Sequence, residues 1–167
     1  MYGAHRLSLG KSLFLLPLLI SPGCDDAPDR SGPATLVQTW VEMWNSYDLN
    51  QVEGLFLNDD RLTYFSSERE GVIRGFQDVM DHHRGFGFVP GGLEQGNRLW
   101  VEDLRTDVFE EAAVLTGIWF FQRSGEAESL ADPQRGPVTF VCVYEDGAWR
   151  FVHMNFGEYL PPETTNP

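Results

Sequence analysis

The chain has 167 residues, enough for one domain with short appendages, and its 42% hydrophobic and 13% aromatic content excludes a wholly disordered protein. The formal net charge of −13 at pH 7 repels phosphate backbones and anionic lipid surfaces. The composition therefore indicates an acidic globular protein that does not bind nucleic acid.

The first 23 residues have the pattern of a bacterial signal peptide. Arg6 and Lys11 precede an apolar run, Ser12–Ile20, which at about nine residues is too short to span a bilayer. Cys24, directly after a glycine, then resembles the lipidation site of bacterial lipoproteins. Three outcomes are compatible with this segment: it is cleaved and Cys24 is lipidated, it is cleaved and the protein carries no lipid, or it stays uncleaved as an anchor. The predicted location is the bacterial cell envelope, lipid-anchored or periplasmic or secreted, with membrane contact only through a lipid anchor.

Residues 24–33 are polar and rich in proline and glycine, so we predict a tether ahead of a folded domain at 34–160. Residues 161–167 have the composition of a flexible tail. The second cysteine, Cys142, falls within a predicted strand. With Cys24 lipidated it has no partner in the sequence, so we interpret it as a small buried residue.

Three helices are predicted in the first half of the domain. Apolar residues recur at helical spacing over 34–47, which predicts an amphipathic helix. Asp48 is a suitable N-cap for a short second helix, Leu49–Phe56. A first strand is predicted at Leu62–Ser66, and a third helix at Phe76–His83.

Long strands follow. Candidates are Arg98–Val108, Ala112–Arg123 and a closing hairpin, Val138–Phe156, around the turn residues Asp146-Gly147. A loop is predicted at 124–137. Helices followed by a meander of antiparallel strands predict an α+β fold with the helices on one face of the sheet.

The last strand carries the most informative pattern. Strict alternation puts Trp149, Phe151, His153 and Asn155 on one face and leaves the intervening residues, Val152 and Met154 among them, on the other. A polar pair that continues an aromatic face is typical of a pocket lining. We therefore predict that His153 and Asn155 look into a ligand cavity.

Two phrases of the sequence carry a family resemblance. Gly71-Val-Ile-Arg-Gly75 before a helix, and Gly147-Ala-Trp-Arg-Phe-Val-His153 at the end, resemble the SnoaL-like branch of the nuclear transport factor 2-like superfamily. The helix at 34–47 and the strand at Arg61–Phe65 fit the same pattern. The resemblance implies a cone-shaped barrel, in which a strongly curved antiparallel sheet wraps over about three N-terminal helices around an apolar pocket. Because this superfamily contains both enzymes and non-catalytic proteins, the fold does not decide the chemistry.

Three residues are the candidates for chemistry: His153, His83 and Tyr64. His153 is the candidate base or proton donor, with a satisfied core histidine as the alternative. Neighbouring helix residues are about 100° apart, so only one of His82 and His83 can face the pocket. Favourable charge at a helix C-terminus explains one or both of them. The alternative is that one of them meets His153 across the cavity as an acid–base or metal pair. The hydroxyl of Tyr64 could donate to a ligand oxygen.

Further residues are candidates for the pocket walls. They are Trp40, Trp44, Tyr47, His82, Phe86, Trp119, Phe121 and Asn155. The glycine-rich loop Gly85–Gly92 could be a lid over the pocket or a well-packed structural loop.

The position of the acidic base of ketosteroid isomerases, just after the first strand, corresponds here to Phe65 or Ser66. Neither side chain can act as that base, so the isomerase mechanism does not carry over. The sequence shows no metal-ligand spacing, and the predicted chemistry requires no cofactor.

Two functions are compatible with these observations. The first is a protein that binds a small hydrophobic molecule, with histidine acid–base chemistry of the cyclase, isomerase, dehydratase or hydrolase type. The second is a non-catalytic, lipid-tethered binding or dimerisation module of the cell envelope. A homodimer through the sheet would use apolar residues on its convex face, such as Val152 and Met154.

Overall fold

The computed structural model describes residue 29, residues 31–125 and residues 133–160. The predicted signal segment 1–23, Cys24 and the tail 161–167 lie outside the described residues. In the part of the chain that is described, no helix is long and apolar enough to cross a membrane.

The three predicted helices are present. They are α1 (Gly32–Ser46), α2 (Leu49–Leu55) and α3 (Gly75–Gly85). Helix α1 begins two residues earlier than the predicted start at 34, because Pro33 suits the first turn of a helix. Asp48 caps α2 as predicted, since its side chain accepts a hydrogen bond of 3.0 Å from the backbone N–H of Asn50.

In the described part of the chain, six strands form one sheet. They are β1 (Thr63–Phe65), β2 (Ile73–Arg74), β3 (Arg98–Val108), β4 (Ala112–Gln122), β5 (Gln134–Glu145) and β6 (Ala148–Phe156). Their spatial order is β2-β1-β6-β5-β4-β3. The pairs are antiparallel except for β1 and β6, which run parallel. The α+β fold is confirmed, with a curved sheet that is not closed into a barrel.

Two strand predictions need correction. Strand β2 was not predicted, because two residues are too few to carry a periodic pattern. Strand β5 begins at Gln134 instead of Val138, so the predicted loop at 124–137 is shorter at its C-terminal end. The first half of β5 contains Gly136 and Pro137, which made it look like loop in the sequence.

The predicted hairpin is confirmed at its turn. Asp146 and Gly147 adopt φ values of 52° and 77°, the left-handed geometry that a two-residue turn between twisted strands requires. This turn marks one end of the long β5–β6 ribbon.

Strand β6 contains a bulge at Val152. Val141 pairs with His153, and the next residue, Cys142, pairs with Phe151, so Val152 is an extra residue on β6. The extra residue reverses the alternation, so the side chains after it exchange faces. Met154 is fully buried. The prediction that His153 shares a face with Phe151 is therefore wrong.

The core lies between the helices and the concave face of the sheet. Trp40 of α1 packs edge-on against Phe140 of β5, with ring centroids 5.4 Å apart, and stacks on Phe156 of β6 at 5.6 Å. Both contacts are typical aromatic pair geometries. The concave face is thus covered by α1 and is rich in aromatic rings.

The start of the described chain is attached to β6. The indole N–H of Trp149 donates to the carbonyl oxygen of Asp29 over 2.9 Å. Gly32 lies so close to this indole that an added Cβ would overlap the ring. The first turn of α1 is therefore fixed beside the end of the sheet that carries the Asp146-Gly147 turn.

Candidate functional site

A cavity of about 40 Å³ lies between α1 and the concave face of the sheet. Its interior is lined by Leu99 of β3 and by seven aromatic side chains. These are Trp40, Trp44, Tyr64, Phe86, Trp119, Phe121 and Phe156. Six of the seven, all except Phe156, are residues that the sequence predicted to face the pocket.

Regular spacing along each element produces this wall. Trp40 and Trp44 lie four residues apart on α1 and therefore project from the same side of the helix. Trp119 and Phe121 lie two residues apart on β4 and point to the same face of the sheet. Helix and strand periodicities together explain why most of the wall was predictable.

The mouth of the cavity is polar. Four residues at the sheet end opposite the Asp146-Gly147 turn line it: Ser66, Ser67, Glu68 and Gln134. Glu68 is paired with Arg123, whose guanidinium donates over 3.3 Å and also lies 5.8 Å from the centre of the Phe121 ring. The mouth therefore combines hydroxyl and amide groups with a carboxylate already engaged with an arginine.

Two indole N–H groups of this wall find no acceptor in the described part of the chain. The Nε1 atoms of Trp40 and Trp44 are buried and have no hydrogen-bond partner among the described residues. A buried donor without a partner costs about 1–3 kcal/mol of folding free energy. By contrast, the Nε1–H of Trp119 donates to the carbonyl oxygen of Gly157 over 2.7 Å. The two unpaired donors on α1 are a distinctive feature of this cavity.

Tyr64 contributes a third polar group to the wall. Its side chain is buried on β1, and burial raises the pKa of its phenol because the phenolate would be poorly solvated. Tyr64 therefore stays protonated in the neutral pH range. Its predicted place in the pocket wall agrees with the geometry.

His83 lies in the core next to this wall. It is fully buried, and its Nδ1–H donates to the carbonyl oxygen of Val79 over 2.8 Å. This bond leaves Nε2 as the unprotonated nitrogen, which has no partner among the described residues. Burial lowers the pKa of His83 to about 4, so the ring is neutral at pH 7.

His82 contacts two residues of the cavity wall. Its ring centre is 4.9 Å from that of Phe86 and 5.3 Å from that of Tyr64. Burial, reinforced by the nearby charge of Arg69, lowers the pKa of His82 to about 4. Its Nε2 is also buried without a partner among the described residues. His82 therefore packs against the wall residues Phe86 and Tyr64, and it does not line the cavity itself.

His153 and Asn155 lie on the convex face of the sheet. The Val152 bulge turns both away from the cavity, and Asn155 is exposed. The Nδ1 of His153 is 2.8 Å from the hydroxyl oxygen of Thr63, and its ring packs edge-on against Phe65. Partial burial lowers the pKa of His153. The prediction that these two residues look into the pocket is wrong.

Tyr47 also lies outside the cavity lining. Its hydroxyl accepts a hydrogen bond of 2.8 Å from the side-chain amide of Asn97, and its ring stacks on Phe88 at 4.5 Å. These contacts connect α1 to two loops. The structure therefore gives Tyr47 a packing role at the position where the sequence predicted a ligand contact.

The loop Gly85–Gly92 is fastened to the helices. The N–H of Val89 donates to the carbonyl oxygen of Tyr47 over 3.1 Å, and the N–H of Leu49 donates to that of Val89 over 3.0 Å. Phe88 is 3% exposed. Of the two predicted alternatives, this geometry favours the packed structural loop, with Phe86 as its contribution to the cavity wall.

No protein-family model matches the sequence, and no curated protein matches it. Solved structures do resemble the fold. A nuclear transport factor 2-like superfamily protein from Salmonella enterica aligns with a TM-score of 0.64 and 15% identity over 83% of this chain and 96% of that chain. A protein of unknown function with the same type of fold, from Pseudomonas putida KT2440, aligns with a TM-score of 0.67 and 14% identity over 82% and 91% of the two chains.

A third structure, an uncharacterised protein with a cystatin-like fold from Caulobacter vibrioides, aligns with a TM-score of 0.62 and 15% identity over 78% of this chain and 89% of that chain. This chain has a nuclear transport factor 2-like fold. The structural alignments establish the architecture, while sequence identities this low leave the function to be argued from the site.

Within this nuclear transport factor 2-like fold, sequence reasoning missed part of the site. Phe156 was assigned to the opposite face because a bulge leaves no mark in an alternating pattern. The mouth residues Ser66, Ser67, Glu68 and Gln134 were missed because they lie in a loop or at a strand end, where periodicity gives no direction. For Ser66, Ser67 and Glu68, the polar segment directly after the first strand is a signal in the sequence; Gln134 has none.

Cys142 is buried in β5 of this fold, as predicted. Burial raises the pKa of its thiol to about 12, so it is not a thiolate at neutral pH. Among residues 29, 31–125 and 133–160, no cluster of three or more His, Cys, Asp or Glu side chains could hold a metal ion.

Proposed function

We propose that this protein binds a small, neutral, hydrophobic molecule in its aromatic cavity, without acid–base chemistry by histidine. The observation that supports the proposal is the lining itself. Seven aromatic rings surround the space, and the ionisable groups of the lining are Tyr64 inside and Glu68 at the mouth. Apolar walls with a few placed polar groups are typical of small-molecule sites.

The positions of the histidines favour binding over the catalytic alternative. None of the three histidines in the described part of the chain lines the cavity. A general base that acts at neutral pH needs a pKa near that pH. The pKa values of His82 and His83 are lowered to about 4, and His153 lies on the convex face.

The size of the cavity restricts how a ligand would sit. An enclosed apolar cavity of roughly 150 Å³ is needed to hold benzene, whereas the space here is about 40 Å³. The interior therefore accepts a small group, and the larger part of the ligand would lie toward Ser66 and Gln134 at the mouth.

The proposal includes a cellular setting. The phrase Gly147–His153 supports placement in the SnoaL-like branch, and the pattern of residues 1–24 supports a lipoprotein of the bacterial envelope. Metabolic labelling with a palmitate analogue tests the second point. We expect incorporation into the wild-type chain and none into Cys24→Ser; absence of label from the wild type would contradict lipidation.

Ligand binding is tested by titrating toluene into the ¹⁵N-labelled full-length chain and following its indole N–H signals. We expect saturable shifts for the two tryptophans of α1. Ser67→Trp, which places a large ring at the mouth, should abolish the shifts. Thr116→Trp places the same ring on the exposed convex face and should leave them unchanged.

Mass spectrometry of compounds extracted from the purified wild type and Ser67→Trp chains adds a second measurement. A compound that is enriched in the wild type and depleted in the mouth variant would identify the natural ligand. Absence of saturable binding of toluene, acetophenone and ethylbenzene alike to the wild type would contradict the proposed function.

A further inference from the structure

We infer that the bound molecule carries a neutral oxygen acceptor, a carbonyl group, which accepts hydrogen bonds from the indole N–H groups of Trp40 and Trp44. The inference rests on the proposed function and deepens it by naming the chemical class of the ligand.

The two donors are set apart from the other tryptophans of the chain. The sequence contains five tryptophans. The indole nitrogens of Trp100, Trp119 and Trp149 donate to oxygen atoms over 2.7–2.9 Å. The indole nitrogens of Trp40 and Trp44 have no acceptor among the described residues. Both residues are buried, with 0% and 6% of their surface exposed. Buried donors of this kind normally have partners.

Both donors belong to one site. Trp40 and Trp44 are one helical turn apart on α1, their ring centroids are 6.2 Å apart, and both line the cavity. A carbonyl oxygen has two lone pairs and can accept two N–H donors at once. Tyr64, which burial keeps protonated, adds a hydroxyl donor to the same wall.

The charge of the surroundings selects a neutral acceptor over a carboxylate. The charged member of the cavity lining, Glu68, is already paired with Arg123, and the described lining contains no Lys, Arg or His that could neutralise a bound carboxylate. The chain as a whole has a net charge of −13. An anionic ligand would be repelled on entry and would then lose its hydration in exchange for uncharged donors.

The available space agrees with a carbonyl at the inner end. About 40 Å³ admits a carbonyl with a methyl group, and a ring attached to it would extend toward the mouth. A methyl or aryl ketone, an aldehyde or an ester has this shape. The class is therefore a small aromatic or aliphatic carbonyl compound.

Three probes of nearly equal size test the inference: acetophenone, ethylbenzene and benzoate. Acetophenone has the neutral acceptor, ethylbenzene lacks it, and benzoate carries a charge. We expect acetophenone to bind the full-length chain roughly tenfold more tightly than ethylbenzene, the effect of about one net hydrogen bond. In ¹H–¹⁵N spectra, acetophenone should move the indole signals of Trp40 and Trp44 downfield and leave those of Trp100 and Trp149 in place.

Single substitutions assign the effect to the donors. Trp44→Phe and Trp40→Phe keep an aromatic ring and remove the N–H, so each should reduce the preference for acetophenone over ethylbenzene. Trp100→Phe removes an indole that already donates to Glu102 on the convex face, and should keep the full preference. If a core variant fails to fold, the shifts of the Trp40 and Trp44 indole signals in the wild type still test whether these groups bind acetophenone.

The outcomes separate the two proposals. Equal affinity for acetophenone and ethylbenzene would overturn the carbonyl inference and leave the binding function intact. Tighter binding of benzoate would overturn the requirement for a neutral ligand. Saturable binding of none of the three probes would overturn both the inference and the proposed function.

Discussion

His83 is a buried imidazole whose neutral state contributes to the stability of the fold. Its Nδ1–H is bonded to Val79, and aromatic rings surround the rest of it, among them Trp44 at 5.6 Å and Phe88 at 5.1 Å between ring centroids. Protonation of Nε2 would place a charge where no acidic side chain among the described residues is found to raise the pKa of His83. The folded state therefore resists proton uptake.

The first prediction concerns the pH dependence of stability. The pKa of His83 is lowered to about 4 in the folded chain, against an ordinary value of about 6.5 for the unfolded chain. Between these values the unfolded state binds a proton that the folded state does not. The free energy of unfolding should therefore be highest above pH 6.5 and fall by about 3 kcal/mol as the pH approaches 4.

Urea denaturation of the wild type and of His83→Leu at a series of pH values measures this effect. Because the variant removes the imidazole and retains a buried apolar side chain, its stability should depend less steeply on pH in this range. Carboxylates titrate in both chains, and the difference between the two profiles isolates His83. An equal pH dependence of stability in the wild type and His83→Leu would contradict a stabilising role for neutral His83.

The second prediction concerns His153 on the convex face. His153→Ala removes the hydrogen bond with Thr63 and no contact with the cavity. We expect the affinity for toluene to stay within about twofold, and the loss of stability to be about 1 kcal/mol. Calorimetric and denaturant titrations of the two chains measure both quantities. A tenfold weaker affinity would place the imidazole at the site after all.

Strand β6 shows how one extra residue changes which side chains reach the interior. Before Val152, the inward residues are Trp149 and Phe151; after it they are Met154 and Phe156. The bulge moves Phe156 into the cavity wall and takes His153 out of it.

The third prediction tests the bulge through stability. Met154→Ala should destabilise the chain by about 2–5 kcal/mol, because Met154 is fully buried. Val152→Ala should cost less than about 1.5 kcal/mol, since Val152 is half-buried at the bulge. Denaturant midpoints of the two variants provide the comparison. Small and similar costs for both variants would contradict the bulge, because strict alternation places Val152 and Met154 together on the outer face.

Long elements with clear periodicity were predictable from the sequence. Strand β3 has the predicted bounds, and Trp40 and Trp44 were assigned to the pocket from their spacing on α1. Helix and strand geometry fixes the direction of such side chains relative to their neighbours in sequence. The α+β class followed from the order of the elements.

The remainder depends on tertiary contacts that sequence spacing does not encode. The bulge at Val152 shifts the register between β5 and β6 by one residue. Register depends on both strands together and cannot be read from β6 alone. The first half of β5 looks like loop, yet it pairs with β4, and an added Cβ at Gly136 would overlap the carbonyl oxygen of Gly157. That glycine reflects close backbone approach. The mouth of the cavity has the same origin, because it forms where separate segments meet.

The fourth prediction concerns self-association through the convex face of the sheet. Val141, Val143 and Ile118 are half-buried there. A second copy packed on this face would bury them, while the charge of −13 per chain opposes the approach of two copies. We therefore expect a homodimer whose fraction increases from about 50 mM to about 500 mM NaCl as repulsion is screened.

Sedimentation velocity at the two salt concentrations measures the dimer fraction. Val141→Glu should abolish the dimer. Asn50→Glu adds the same charge on α2, away from the sheet face, and should have little effect. A wild-type chain that stays monomeric at high salt would contradict self-association through this face.

The hydrogen bond between Trp149 and Asp29 also fixes where the N-terminal side of the domain lies relative to the cavity. Asp29 is held at one end of β6, and Phe156, at the other end of the same strand, borders the cavity. The two points are roughly 20 Å apart along the strand, by the usual rise per residue. A molecule held at a surface by its N-terminal side would turn its opening toward the surrounding medium. A ligand could then enter and leave the cavity while the protein stays held at that surface.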